Sequence, residues 1–586
     1  MKKINVFLKK GLVLEELLVA FLLTVAMMYF FGETLSRQYL MAFLVFVALF
    51  VLIKKGVEAF DKRRIKFALV FAIPLGVAMA FGRGLDIKMI EFPSFNILMI
   101  PLAIALTIII VLMSLCVLSF MDGRAIAFEA KARLSKKRWL FYSLLIFVAY
   151  LPLFLAFFPG LVSVDSAVQI RQAIGEEGWS NWHPVMSTAF MALPIAVGLN
   201  IFGDLTAGIA LATLTQMIVL ALIFGYTVEW IMSRISKRWV GYVFLGFFAL
   251  CPVIACYSIT LWKDILFSAL FMILILKVYE LIMTTGREEK IGFRKTIGVF
   301  LLAVLVAFFR NGGVLILLVF AVAMLVFFKK SRKMLAVISV ISVILIAMVQ
   351  GPVYGLFKIA SGPFMESMSI PAQQIGYVVA NGELSEEEKE SLSSFADIRK
   401  LAEDYTATNA DPAKSSFYYG NVDKNKIGFL QIWLRIMKSH FGDYIRAYIL
   451  QTYNYWYPQG ESWVLDFAEV HDPMWLKQEY KHVALLGEPI KDGLKKAELG
   501  LTRSSWFGWV TNVGVLCWGM IFMVLIFIYQ RKYYMLLPLS CVIIYILSLL
   551  VASPVSWIFR YVYSLFLIMP FLILCSFVKI KGKDEK

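Results

Sequence analysis

The sequence predicts an all-α polytopic membrane protein, and three observations carry that expectation. The 586 residues are 60% apolar, 15% aromatic and only 17% charged. Apolar runs of about 20 residues recur along the chain, long enough to cross a bilayer as helices. Positive charge sits in the short stretches between those runs, as cytoplasmic loops require. A formal charge of +17 in a soluble chain would suggest a nucleic-acid partner. Here the polar stretch from 352 to 505 holds 16 Lys and Arg against 20 Asp and Glu, so the positive excess lies wholly in the rest of the chain. That distribution argues against nucleic-acid binding.

The apolar runs fall near 12–31, 39–54, 66–82, 96–119, 138–157, 205–229, 239–257, 264–284, 296–310, 313–328, 334–351, 506–529, 534–552 and 557–578, about fourteen spans by length. The start, MKKINVFLKKGLVLEELLVAFLL, has the basic flank of a signal sequence. No small-residue cleavage site follows it, so it reads as a retained first span. With the N-terminus inside, KKGVEAFDKRRIK, EAKARLSKKR, SRISKR, GREEKIGFRK, KKSRK, QRKYY and the tail KIKGKDEK all fall in the cytoplasm. The chain is then a multi-pass protein of the cytoplasmic membrane with both termini inside.

One further run, 185–202, is long enough to cross, but a crossing there would move SRISKR outside. It is expected as a helix lying along or dipping into the outer interface. The loop 158–184 and the 352–505 region then face outward. Four parts follow: a four-helix module over 1–130, a membrane core over 131–351, an extracytoplasmic and mostly helical domain over 352–505, and a three-helix segment over 506–586. The cytoplasmic loops are too short to fold a nucleotide-binding domain, and neither GxGxxG nor GxxxxGK[ST] occurs. An enzyme of this build would draw on a membrane-bound, lipid-linked donor. All six cysteines lie within apolar runs, where a free thiol acts as a small hydrophobe.

The outward loop FFPGLVSVDSAVQIRQAIGEEGWSNWHP carries Asp165, Gln169 and His183. Asp165 or Ser163 suits the N-cap of the amphipathic helix that begins there. Asp165 also suits a general base, with partial desolvation lifting its proton affinity towards neutrality. His183 precedes Pro184, an ordinary helix start, and its pKa range also fits acid-base work. Arg560, near the outer end of the last span, suits two phosphate oxygens or an interfacial anchor. Lys263 and Arg310, at other outer helix ends, suit added charge for the same phosphate or interfacial anchors. Asp264 either favours the helix N-terminus it opens or positions a ligand. In YNYWYPQGESW, Tyr455 and Trp456 suit either a sugar-stacking surface or an aromatic belt. The four histidines lack zinc-site spacing.

In order along the chain, FFPGLVSVD, NWHPVMSTAFMALPIAVGLNIFG, YSITLWKDILFSALFMILILKVYELI, AFFRNGG and SPVSWIFRYVYSLFLIMP resemble successive parts of GT-C glycosyltransferases over about residues 138–578. The resemblance implies a GT-C-like core that moves a sugar from a polyprenyl phosphate to a glycan, lipid or protein acceptor on the outer face, usually with inversion. It implies the base role for Asp165. Several branches have a paired Asp-Glu where this loop has VDS, so a divalent metal is allowed but not required. The rival class is a multi-pass transporter or lipid flippase, which needs ionisable groups along a crossing path. Glu15 and Glu16 are the strongest hint of that. A membrane acyltransferase would need an intramembrane histidine, and no span has one.

Overall fold

The computed structural model describes residues 2–32, 38–85, 97–285, 289–464, 480–502 and 504–580. Among them, ten helices are long and apolar enough to cross a membrane, or eleven if the bent pair Arg238–Leu250 and Pro252–Ser258 counts as one. The chain is an all-α polytopic membrane protein. Among the described residues the strands are four short pieces, β1 (Ile126–Phe128), β2 (Leu161–Val162), β3 (Thr260–Leu261) and β4 (Val578–Ile580), pairing in parallel as β1 with β4 and β2 with β3.

The chain opens with α1 (Lys2–Phe30), α2 (Tyr39–Glu58), α3 (Lys62–Gly84) and α4 (Met99–Asp122). The last two pack closely at Gly76, where an added Cβ would lie 2.9 Å from the Thr107 backbone nitrogen. This module docks on the C-terminal helix Val513–Tyr529 through α3. Phe71 meets Phe522 with ring centroids 4.6 Å apart, and Arg63 bonds the Tyr529 carbonyl.

The core continues with α5 (Lys136–Ala156), α6 (Val164–Ala173), α7 (Val185–Phe202) and α8 (Leu205–Arg234). Asp204 caps α8 by accepting from the Thr206 and Ala207 amides. The left-handed Gly203 before it (φ +67°) makes the reversal from α7, a conformation that glycine adopts without Cβ strain. Gly198 lies against Gly208 so closely that no side chain fits between them. The helix expected at 185–202 has those bounds, and its eighteen residues are long and apolar enough to cross. Within the fold α7 runs back along the first half of α8, burying Met191 and Ile195 against Ile209 and Ala212. Leu193, Val197 and Ile201, one stripe at helical spacing, stay exposed.

Next come α9 (Arg238–Leu250), α10 (Pro252–Ser258), α11 (Lys263–Thr285), α12 (Phe293–Phe308), α13 (Gly313–Phe327) and α14 (Arg332–Met348), with the helices Leu536–Ala552 and Tyr563–Phe577 near the end of the chain. The basic loops gather at one end of this bundle. Arg64 pairs with Asp122 at 2.8 Å and the Tyr529 hydroxyl donates to the same carboxylate at 2.6 Å. Arg234 pairs with Glu280 at 2.6 Å, the Ile291 amide donates to Ser331, and Lys532 Nζ donates to the carbonyls of Cys575, Ser576 and Val578. Residues 581–586 of the tail lie outside the described residues.

At the opposite end, residues between 364 and 444 form a helical domain with its own core of Met365, Ile375, Leu392, Leu401, Phe429 and Ile436. The stretch SEEEKESLSSFADIRKLAEDY divides into helices Glu386–Ser393 and Ile398–Asp404, the first capped reciprocally by Ser385 and Glu388. Gln451 ties the domain to the bundle, its amide donating to the Ser553 and Pro554 carbonyls.

Candidate functional site

Two backbone features place the site. Gly160 has φ +120° and its missing Cβ leaves room for Thr213, which lets Leu161 reach the Ile259 carbonyl at 2.8 Å and start the β2–β3 pair. Gln216 Nε2, buried in α8, then gathers the carbonyls of Tyr257, Ser258 and Thr260. These bonds brace the break between α10 and α11, where the Thr260 carbonyl also accepts from the Trp262 amide at 3.0 Å.

The cap question is decided by Ser163. Its side chain accepts from the Ser166 amide in a capping box, and the Ser166 hydroxyl bonds the Leu261 carbonyl. Asp165, one residue into α6, is thereby free for other partners and lies against the start of α11. Lys263 Nζ donates to Asp165 Oδ2 at 3.1 Å, and Arg560 Nη1 donates to the same oxygen at 2.8 Å. Lys263 Nζ also lies 2.8 Å from His183 Nδ1, which accepts as a neutral imidazole. Arg310 Nη1 meets Asp264 Oδ1 at 2.5 Å, and Arg560 Nε stands 3.9 Å from Asp264 Oδ2. Arg560 lies over the Trp262 ring at 4.7 Å, and Arg310 over Tyr545 at 5.0 Å.

Three cations thus face two carboxylates across four different elements, leaving one positive charge in excess while His183 is neutral. An anion fits such a site. Burial pushes the His183 ring down to about 3, and the neighbouring Lys263 charge adds to the effect. For Asp165 the expectation of a raised proton affinity is overturned. Burial does raise it, but Lys263, Arg560 and His183 outweigh that and hold the carboxyl well below its usual range.

A cavity of about 960 Å³ opens beside the cluster. Lys263, Asp264, Arg310 and Tyr561 form its charged floor, Leu315, Ile544, Leu547 and Val551 an apolar wall, and Phe364, Glu366, Ser367 and Lys426 of the helical domain its far rim. Asp165 and Arg560 stand behind that floor, bonded to it through Lys263. The Asp165 side chain is 23% exposed, against 3% for Asp264 and 11% for Arg560.

Other sequence candidates lie elsewhere. Gln169 is fully buried and donates to Ser187 and Thr188, fastening α6 to α7. Tyr455 is buried in the wall behind the cavity with its hydroxyl on Ser553 at 2.9 Å. Trp456 packs against Phe81 of α3, ring centroids 5.9 Å apart, so it joins the N-terminal module to the bundle and does not line the cavity. His440 sits near Glu388 and Asp443 in the helical domain, and His471 lies outside the described residues. Among the described residues no group of three or more His, Cys, Asp or Glu is placed to hold a metal. Residues that sequence reasoning passed over, Trp182, Glu366, Lys426 and Tyr561, line the cavity. Trp182 is adjacent to His183, which was the available signal.

Fold and site together define a polytopic α-helical membrane protein with a charge-lined cavity at one end of its bundle. Residues 178–585 match the model of a family of unknown function (DUF6020), and the chain belongs to that family. Neither a curated protein nor a solved structure matches it. The matched stretch includes His183, Lys263, Asp264, Arg310 and Arg560, and Asp165 precedes it.

Proposed function

We propose that this protein is a GT-C-type glycosyltransferase that moves a sugar from a polyprenyl phosphate to an acceptor at the outer face of the cytoplasmic membrane. One observation carries the reading: Lys263, Arg310 and Asp264 lie on the floor of a cavity whose side wall is aliphatic, with the Asp165–Arg560 pair directly behind them. A phosphate on a hydrocarbon chain has those two demands, cations for its oxygens and an apolar path for its tail. In the proposed topology fourteen helices run from end to end, α9 and α10 forming one bent crossing. The gathered basic loops are cytoplasmic, and α7 lies at the outer interface with its apolar stripe against the headgroup region.

In the reaction, the acceptor oxygen bonds the anomeric carbon while the bond from that carbon to the phosphate oxygen breaks. The electron pair stays with the phosphate, and Arg310, Lys263 and Arg560 stabilise the charge that develops there. Lys263 turns from Asp165 to the phosphate. Released from one of its cations, Asp165 gains proton affinity and takes the acceptor's hydroxyl proton. Purified protein in lipid nanodiscs, given polyprenyl-phosphate sugars, should release the carrier only when acceptor is present. Movement of the lipid between leaflets without that release would replace this reading with a flippase.

A further inference from the structure

Trp182 stands where three parts of the chain meet. The Asn181 amide donates to the Ala360 carbonyl at 2.8 Å, Ala360 donates back to Trp179 at 2.9 Å, and Asn311 Nδ2 donates to the Trp182 carbonyl at 3.0 Å. The backbone of Gly362 comes so near that a Cβ there would lie 3.1 Å from Trp182 Cα. The main chain is therefore fixed from two sides. The side chain is not enclosed: Trp182 is 41% exposed and borders the cavity. Its ring lies parallel to His183, centroids 5.6 Å apart and planes 8° apart. His183 in turn holds Lys263. A large aromatic face left partly bare beside a polar cavity, on an immobilised backbone, is an arrangement suited to stacking a ligand ring.

We propose that Trp182 is the stacking platform for the sugar of the lipid-linked donor, with the Asn311 turn and the Glu366 and Ser367 rim at the sugar's edge. The proposal rests on the glycosyltransferase reading and assigns the saccharide to the side of the cavity next to Lys263. At that rim the Asn311 and Ser367 side-chain oxygens can accept from sugar hydroxyls, as can the remaining lone pairs of Glu366, which already accepts from Lys414 and Tyr419, and the apolar face of a pyranose finds the indole. Of the aromatic candidates read from sequence, Tyr455 is buried and Trp456 is half-buried against Phe81, and neither borders the cavity.

The test separates sugar from phosphate. Farnesyl phosphate is titrated onto the full-length protein in nanodiscs, alone and as its glucose, galactose, mannose, N-acetylglucosamine and arabinofuranose phosphodiesters. For at least one sugar the wild type binds the phosphodiester more tightly than the bare phosphate. In Trp182→Ala that gain falls on the order of fivefold to tenfold while binding of farnesyl phosphate stays within about twofold, and Trp182→Phe keeps most of the gain. Survival of the gain in Trp182→Ala, equal loss for bare and sugar-bearing lipid, or no gain for any of the five sugars overturns the proposal. Failure of the phosphate reading shows separately, as farnesyl phosphate binding that Arg310→Gln leaves unchanged.

Discussion

Arg560 and Asp165, 395 positions apart in sequence, share a hydrogen bond of 2.8 Å. The bond joins the entrance of the last long helix to the first turn of α6, so the two ends of the core are held together by charge at the site itself. Arg560 is 11% exposed, and its removal would leave one carboxylate with a single cation and Asp264 without its second. Truncating one partner of a buried pair costs about 3–5 kcal/mol. Arg560→Met should therefore lower the thermal midpoint in detergent and reduce sugar transfer by at least about 100-fold. Arg560→Lys, which keeps the charge but loses the fork, should recover stability more than activity. Equal recovery of both would mean that Arg560 only supports the fold.

Asp165→Asn separates the proposed base from a carboxylate that merely holds cations. The substitution frees Lys263 and Arg560, so a bare prenyl phosphate should bind as well as before or more tightly. Transfer should fall by about 10²–10⁴-fold, the usual worth of a positioned base. Transfer that persists at near wild-type rate would remove Asp165 from the chemistry.

Acid should weaken the fold in two windows. His183 is held neutral, at about 3 in the folded chain against an ordinary 6.5. As pH falls below about 6.5 the unfolded chain takes up a proton that the folded chain refuses, so stability declines until the folded value is reached. The steepest slope from this one residue is about 1.4 kcal/mol per pH unit. Asp165 has the opposite charge and the same direction. Its stabilisation is complete above the unfolded value of about 3.9 and is lost as pH drops towards its depressed folded one. Denaturation followed from pH 8 to pH 4 should show the His183 decline, and His183→Gln should flatten it. An unchanged slope in that variant would assign the decline to other groups.

Gly198→Leu tests the path of α7. The added side chain meets the Gly208 backbone and cannot be accommodated by a rotamer change, so it should cost about 1–3 kcal/mol as overpacking. Because Gln169 reaches Ser187 and Thr188 on the same helix, the variant should also displace α6 and reduce activity. Full activity would show that α6 keeps its place without α7.

The proposed sidedness is checked by thiol labelling. With the native cysteines buried or partly buried, Glu383→Cys should react with an impermeant maleimide in intact cells, and Lys237→Cys only after permeabilisation. Reaction of both in intact cells would refute the topology.

Much of the bundle was legible because lipid-facing helices write themselves as apolar runs, and the turn at Gly203 and Asp204 ends α7 where the residue types say it should. The charged partners were also legible one by one, since ionisable groups at helix ends are few. Their pairing was not. Asp165 receives Lys263 from 98 positions away and Arg560 from 395, and no local pattern encodes which cation closes on which carboxylate. That is why a raised proton affinity was expected where a lowered one is found. The aromatic cluster at 453–457 failed for a related reason: side chains that serve a helix contact and side chains that line a cavity have the same composition. What told Trp182 apart was its exposure, a tertiary property.

A single neutral amide, that of Gln216, gathers three carbonyls just ahead of Lys263. The segment bearing the lysine is consequently a stiff shelf with little freedom to swing. Whatever yielding the protein needs to admit a bulky guest must then come from the opposite lip, where the separately cored helical domain overhangs.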